Sequence, residues 1–132
     1  MATRNGQDVG TRVVHRRYVP YSDAHYAGDL VDGAYSLKLF GDVATEMCIL
    51  TDSDEGLFAS YSDVQFKQPV RAGDVLEIAA ELTRIGTRSR TLDLTVTVVA
   101  RGAATAERPG AAEFLEPALL ATTATGTVVV PG

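Results

Sequence analysis

The side chains of this chain that could do chemistry gather in one stretch, residues 23–46, DAHYAGDLVDGAYSLKLFGDVATE. It opens as a polar loop carrying His25, Tyr26 and Asp32 and then becomes an apolar run in which Asp42 and Glu46 stand four residues apart. A helix start is a favourable place for a developing negative charge, because its first N–H groups lack partners and the macrodipole is positive there. Asp42 is the first candidate for a general base: it lies on a narrow polar stripe of an otherwise apolar helix, where partial desolvation makes a carboxylate more basic. A plain solvated stripe is the competing reading. His25 is a candidate to shuttle a proton and Tyr26 to donate to an anionic oxygen beside the amides of Gly33 and Ala34, with a plain loop histidine and an aromatic plug under the turn as the competing readings. Asp32 is expected first as the helix N-cap and second as a substrate contact.

These residues need a helix and a sheet to hold them. The helix is predicted over 33–50. At 100° per residue Lys38, Asp42, Thr45 and Glu46 fall within an arc of about 100°, and Leu37, Leu39, Phe40, Val43, Ala44, Met47 and Leu50 cover most of the rest. So apolar a helix is expected to be enclosed by a sheet. Strands are predicted over 11–19, 57–66, 75–85, 90–101 and 119–130, with TLDLTVTVVA showing a clean period of two. Gly86-Thr87-Arg88-Ser89 joins two of them as a hairpin. Residues 1–10 are expected to fray, and 102–117, rich in alanine, glycine and proline, to form a long mobile loop. The order of strand, long helix, then an antiparallel meander specifies an α+β hot-dog fold: a curved antiparallel sheet of about five strands around one central helix. Its exposed sheet edge calls for at least a homodimer, with a trimer of dimers as the larger assembly.

Composition narrows the function. The chain has 132 residues with 45% hydrophobic content, enough for a single domain over 1–132. Twelve basic against 17 acidic residues give a net charge of −5, which argues against a nucleic-acid binder. The N-terminus lacks an apolar leader-like run, and no stretch approaches the roughly 20 apolar residues that cross a bilayer. A lone cysteine, Cys48, leaves no intramolecular disulfide or cysteine-rich metal site and fits a reducing, cytoplasmic setting. His15 reads as a half-exposed strand histidine without a metal partner.

With the segments HYAGDLVDGA, LFGDVATE, DEGLF, QPVRAGD and ATGTVVVP, the chain resembles the 3-aminobutyryl-CoA and β-alanyl-CoA ammonia lyases over about 13–131. The resemblance implies reversible removal of ammonia from a β-aminoacyl thioester to give an enoyl thioester such as crotonyl-CoA. It also implies no metal and no bound cofactor, coenzyme A being part of the substrate. A thioester acidifies its α-hydrogen, so elimination needs chiefly one base and one oxyanion site. Glu46 and Glu55 are candidates to hold the substrate ammonium. Lys67, Arg84, Arg88 and Arg90 are candidates for the nucleotide end of coenzyme A. Two other readings compete: an acyl-CoA thioesterase of the same fold, and a non-catalytic acyl-thioester-binding module. Against the thioesterase, Asp32-Gly33 replaces a Gly-Gly pair often seen there, and Asp42 lies about two residues beyond the usual acid.

Overall fold

The structure, a computed structural model, describes residues 2–132. It contains strands β1 (Arg12–Tyr18), β2 (Leu57–Phe66), β3 (Val75–Ile85), β4 (Ser89–Gly102) and β5 (Ala112–Val129) and one long helix, α1 (Gly33–Asp52). The strands form one antiparallel sheet in the order β1-β3-β4-β5-β2, with α1 against its concave face. This is the hot-dog fold that the sequence pattern specified.

Alternation decides which residues face the helix. Leu76, Ile78, Ala80 and Leu82 of β3 and Leu92, Leu94, Val96 and Val98 of β4 are buried against Phe40, Val43, Met47 and Cys48 of α1. Each large side chain buried in this way contributes about 1.5–3 kcal/mol. On β5, Gly126 takes an inward position because a Cβ there would stand 2.6 Å from the Phe58 ring and 2.8 Å from Leu94. The helix is not enclosed all round. Lys38, Asp42, Thr45, Glu46 and Ile49 form an exposed stripe, with Ile49 half exposed.

Two segments depart from the sequence reading, the one before β1 and the connection from β4 to β5. Residues 2–10 are pinned rather than frayed: Asn5 donates from its backbone N to Thr51 O at 3.0 Å and from Nδ2 to Leu50 O at 3.1 Å. It thereby satisfies carbonyls that α1 leaves open at its C-terminus, and Thr3 is buried beside it. The predicted loop over 102–117 shrinks to 103–111, since Gly102 pairs with Ala112, Arg101 with Glu113 and Ala100 with Phe114. Pairing with β4 imposes extended backbone on residues whose own propensity favours a loop.

Candidate active site

The start of α1 opens onto a cavity of about 400 Å³, lined by Val31–Gly33 and Ser36 on one side, Phe66–Val70 on another, and Thr122 of β5. Backbone bonds fix its walls. Val31 N donates to Val70 O (3.0 Å) and Ala72 N to Asp29 O (2.7 Å), tying the loop before the helix to the QPVRAGD turn. Asp74, fully buried, holds that turn by accepting from Arg71 N (2.8 Å) and from both Nε (2.9 Å) and Nη2 (3.0 Å) of Arg101. Lys67 N and Gln68 N both donate to Ala121 O, closing the end of β2 onto β5.

Asp32 occupies the N-cap position in extended backbone, yet its side chain makes no capping bond. This corrects the expectation that capping is its main role. Among the described residues its carboxylate has no hydrogen-bond or ion-pair partner, and it is only partly buried. The next two amides, of Gly33 and Ala34, also lack protein acceptors among the described residues. An uncommitted carboxylate therefore stands beside two open N–H donors at the positive end of a 20-residue helix. Gly33 lets the Phe66 ring approach closely: a Cβ there would lie 2.9 Å from it. One turn on, Ser36 Oγ and Thr122 Oγ1 hydrogen-bond at 3.1 Å, both hydroxyls buried.

The loop ahead of the helix is anchored by a cluster that sequence reasoning missed. Tyr35 OH donates to Asp23 Oδ2 (2.8 Å) and accepts from Arg17 Nε (2.9 Å), while Arg17 Nη2 reaches Asp23 at 3.2 Å. Burial pushes the Tyr35 phenol above its ordinary value, with the Arg17 hydrogen bond opposing it, so the hydroxyl stays protonated. His25 and Tyr26 sit outside the cavity. Both are exposed, packed edge to face on each other at 4.6 Å, and their backbone N–H groups close the loop onto Leu30 O.

The other predicted residues disperse over the molecule. Asp42 is exposed and lines a separate cavity with Val14, His15, Arg16, Arg17, Leu39 and Ile78, on the β1 side of the helix. The helix-start cavity lies towards β2 and β5 at the other edge of the sheet, so a protomer does not bring Asp42 to it. The desolvation that made Asp42 attractive is absent there. Glu46 instead meets His15 at 3.0 Å, giving that histidine a partner the sequence did not reveal. Glu55 and Arg88 share a cavity of about 410 Å³ beyond the opposite end of α1. Arg84 is exposed near the same hairpin. Lys67 alone of the basic candidates lines the helix-start cavity, with no ion-pair partner among the described residues.

Arg90, a candidate for the nucleotide end of coenzyme A, is turned inward. It is 5% exposed, forms a two-point ion pair with Asp52 and donates to Gly86 O and Ser89 O, so its guanidinium is spent inside the fold. Burial pushes the Asp52 carboxyl up, but hydrogen bonds from Arg90 and Thr51 outweigh it and hold the group below its ordinary value. Cys48 is buried, as expected, and its thiol is pushed up to about 11, mainly by burial and then by Asp52.

Fold and helix-start cavity together define a class, and residues 30–104 match the model of the thioesterase superfamily. Over 111 residues the chain is 46% identical to 3-aminobutyryl-CoA ammonia lyase of Acetoanaerobium sticklandii, covering 83% of this chain and 86% of that protein. The solved β-alanyl-CoA:ammonia lyase from Clostridium propionicum superimposes with a TM-score of 0.87 at 36% identity, covering 93% of this chain and 87% of that one. A hexameric hotdog fold thioesterase of Campylobacter jejuni matches at TM-score 0.73 and 19% identity, over 89% of this chain and 81% of that one, a likeness of fold alone. The chain belongs to the thioesterase superfamily and, within it, to the family of 3-aminobutyryl-CoA ammonia lyase.

Proposed function

We propose that the protein is a carbon–nitrogen lyase that reversibly removes ammonia from a 3-aminoacyl-CoA, 3-aminobutyryl-CoA being the substrate class and crotonyl-CoA the product class. The kinship with two CoA-thioester ammonia lyases supports the reaction. The observation that carries it at the level of residues is the uncommitted Asp32 carboxylate beside the open Gly33 and Ala34 amides.

In this reading the thioester oxygen accepts from the Gly33 and Ala34 N–H groups, whose field favours the enolate over the neutral carbonyl. Asp32 takes the α-proton. The C–H electron pair forms the α,β double bond, the C–N bond breaks, and its electrons leave with nitrogen as ammonia, the β-ammonium needing no further proton. In the reverse direction protonated Asp32 returns its proton to the α-carbon after ammonia adds. Lys67 at the mouth is assigned to a phosphate of coenzyme A. Arg84 and Arg88 lie at the far end of the molecule, so any role on the nucleotide requires that they come from another copy.

Such a copy is part of the proposal. β2 is an edge strand of ten residues with Leu57 and Phe66 well exposed at its ends, and pairing along it would build at least a dimer. The larger assembly in this reading is a trimer of such dimers. We place the protein in the cytoplasm on its buried lone thiol, and none of the described helices is long and apolar enough to cross a membrane.

The test is incubation with crotonyl-CoA and ammonium chloride, following enoyl absorbance and free thiol together. Ammonia-dependent loss of absorbance without thiol release is the expected result. Thiol release without it would instead assign an acyl-CoA thioesterase, and neither signal would leave a thioester-binding module.

A further inference from the structure

Two buried hydroxyls stand out in the cavity wall. Ser36 and Thr122 are 3% and 2% exposed, and their oxygens lie 3.1 Å apart. Ser36 is a polar residue set within the apolar arc of α1, and Thr122 takes an inward position on β5 where Ala124 and Val128 follow it. Alanine and valine would fill the same space with no polar group to satisfy. Their mutual hydrogen bond consumes one hydrogen and leaves the pair with most of its lone pairs open, so it is rich in acceptors and carries no charge.

Their position matches one atom of the substrate proposed above. Ser36 lies three residues after Gly33 on the same face of α1, a rise of roughly 4.5 Å. From a thioester oxygen held at the Gly33 and Ala34 amides, the C1–C2–C3–N path of a 3-aminoacyl group spans a comparable distance within the same cavity, enough to reach Ser36. An ammonium group at the end of that path needs lone pairs, not donors.

We propose that the Ser36–Thr122 hydroxyl pair accepts hydrogen bonds from the β-ammonium, and from ammonia in the addition direction, and that it sets the preference for an amine at the β-carbon. The inference rests on the lyase reading and adds to it the residues that recognise nitrogen. Uncharged acceptors suit this task. Asp32 becomes neutral when it takes the α-proton and would then lose its hold on a cation, whereas hydroxyls keep their lone pairs throughout. They also form no ion pair that would retain ammonia after C–N cleavage.

The experiment compares KM values in the addition direction, with crotonyl-CoA and ammonium chloride as the two varied substrates. Removing both hydroxyls at once, in the double variant Ser36→Ala with Thr122→Val, strands no buried partner and is expected to leave the melting temperature nearly unchanged. Its KM for ammonium should rise about 3- to 10-fold, the loss expected for a hydrogen bond to neutral ammonia, while KM for crotonyl-CoA stays within about twofold. Thr122→Ser, which keeps the hydroxyl, should recover the ammonium KM relative to Thr122→Val; this comparison decides the matter if the double variant fails to fold. An unchanged ammonium KM, or a parallel rise in both KM values, overturns the assignment while the lyase reading stands. A wild-type protein with no ammonia-dependent turnover overturns both, and is recognised before any variant is made.

Discussion

Arg90 grips Asp52 with two hydrogen bonds, Nη2 to Oδ1 at 2.8 Å and Nε to Oδ2 at 3.0 Å, where β4 begins and α1 ends. A carboxylate at a helix C-terminus faces the negative end of the dipole, so it persists there only with a cation alongside. Replacing Arg90 by Met strands that charge in a buried site and should cost about 3–5 kcal/mol in denaturant unfolding. The pH dependence has a definite sign. Asp52 has a folded-state value below its unfolded value, so its contribution is present above about pH 4 and is lost as pH falls through the lower folded value. Wild-type stability should therefore decline on acidification below about pH 4, and the Arg90→Met variant should lack that part of the decline. Parallel curves for the two proteins would remove the ion pair from the stability account.

Gly33 makes a second prediction through its neighbour. A methyl group there meets the Phe66 ring at 2.9 Å, and because that ring is 58% exposed it can swing aside at little cost to the fold. Its movement disturbs the cavity that both residues line. Gly33→Ala should leave stability within about 1 kcal/mol of wild type yet raise the thioester KM roughly fivefold. Adding Phe66→Leu should recover part of the loss. Unfolding without a KM effect would show the glycine to be structural only.

Cys48 should be chemically silent. Its thiol is fully buried and pushed up to about 11, so the thiolate that attacks an alkylating reagent is scarce at pH 8 as well as screened. Iodoacetamide labelling should track global unfolding in a denaturant series. Rapid labelling of native protein would mean that the C-terminal half of α1 opens locally.

Much of the fold was legible because long periodic elements carry their own evidence. The period-two run in β4 and the apolar helix are strong local signals, and five of the elements lie within a few residues of their predicted bounds. What failed was non-local. Residues 112–118 join β5 because β4 offers a partner, and the N-terminal segment is tied down by Asn5 to the end of α1 and by Gly10 N to Leu82 O of β3. Of the residues singled out in the sequence, Asp32, Gly33 and Lys67 line one cavity, placed there by the helix start and the turn after β2. Asp42 was attractive as a carboxylate on an apolar helix, but sequence cannot say which edge of the sheet a helix face addresses, and it addresses β1. Arg90 looked like a hairpin cation because its partner Asp52 lies 38 residues away. Ser36 stands out in the sequence as a hydroxyl inside the apolar arc, and it lines the same cavity.

In the proposed reaction Asp32 accepts the α-proton at the helix start. Asp32→Asn keeps the shape and, with no capping bond to lose, should fold as wild type does. Ammonia-dependent loss of crotonyl-CoA absorbance is predicted to fall about 10²- to 10⁴-fold in this variant, with crotonyl-CoA binding retained, while Asp42→Asn stays within about threefold of wild type. Turnover that survives Asp32→Asn and disappears with Asp42→Asn would contradict the account and return the base to the β1 face of the helix.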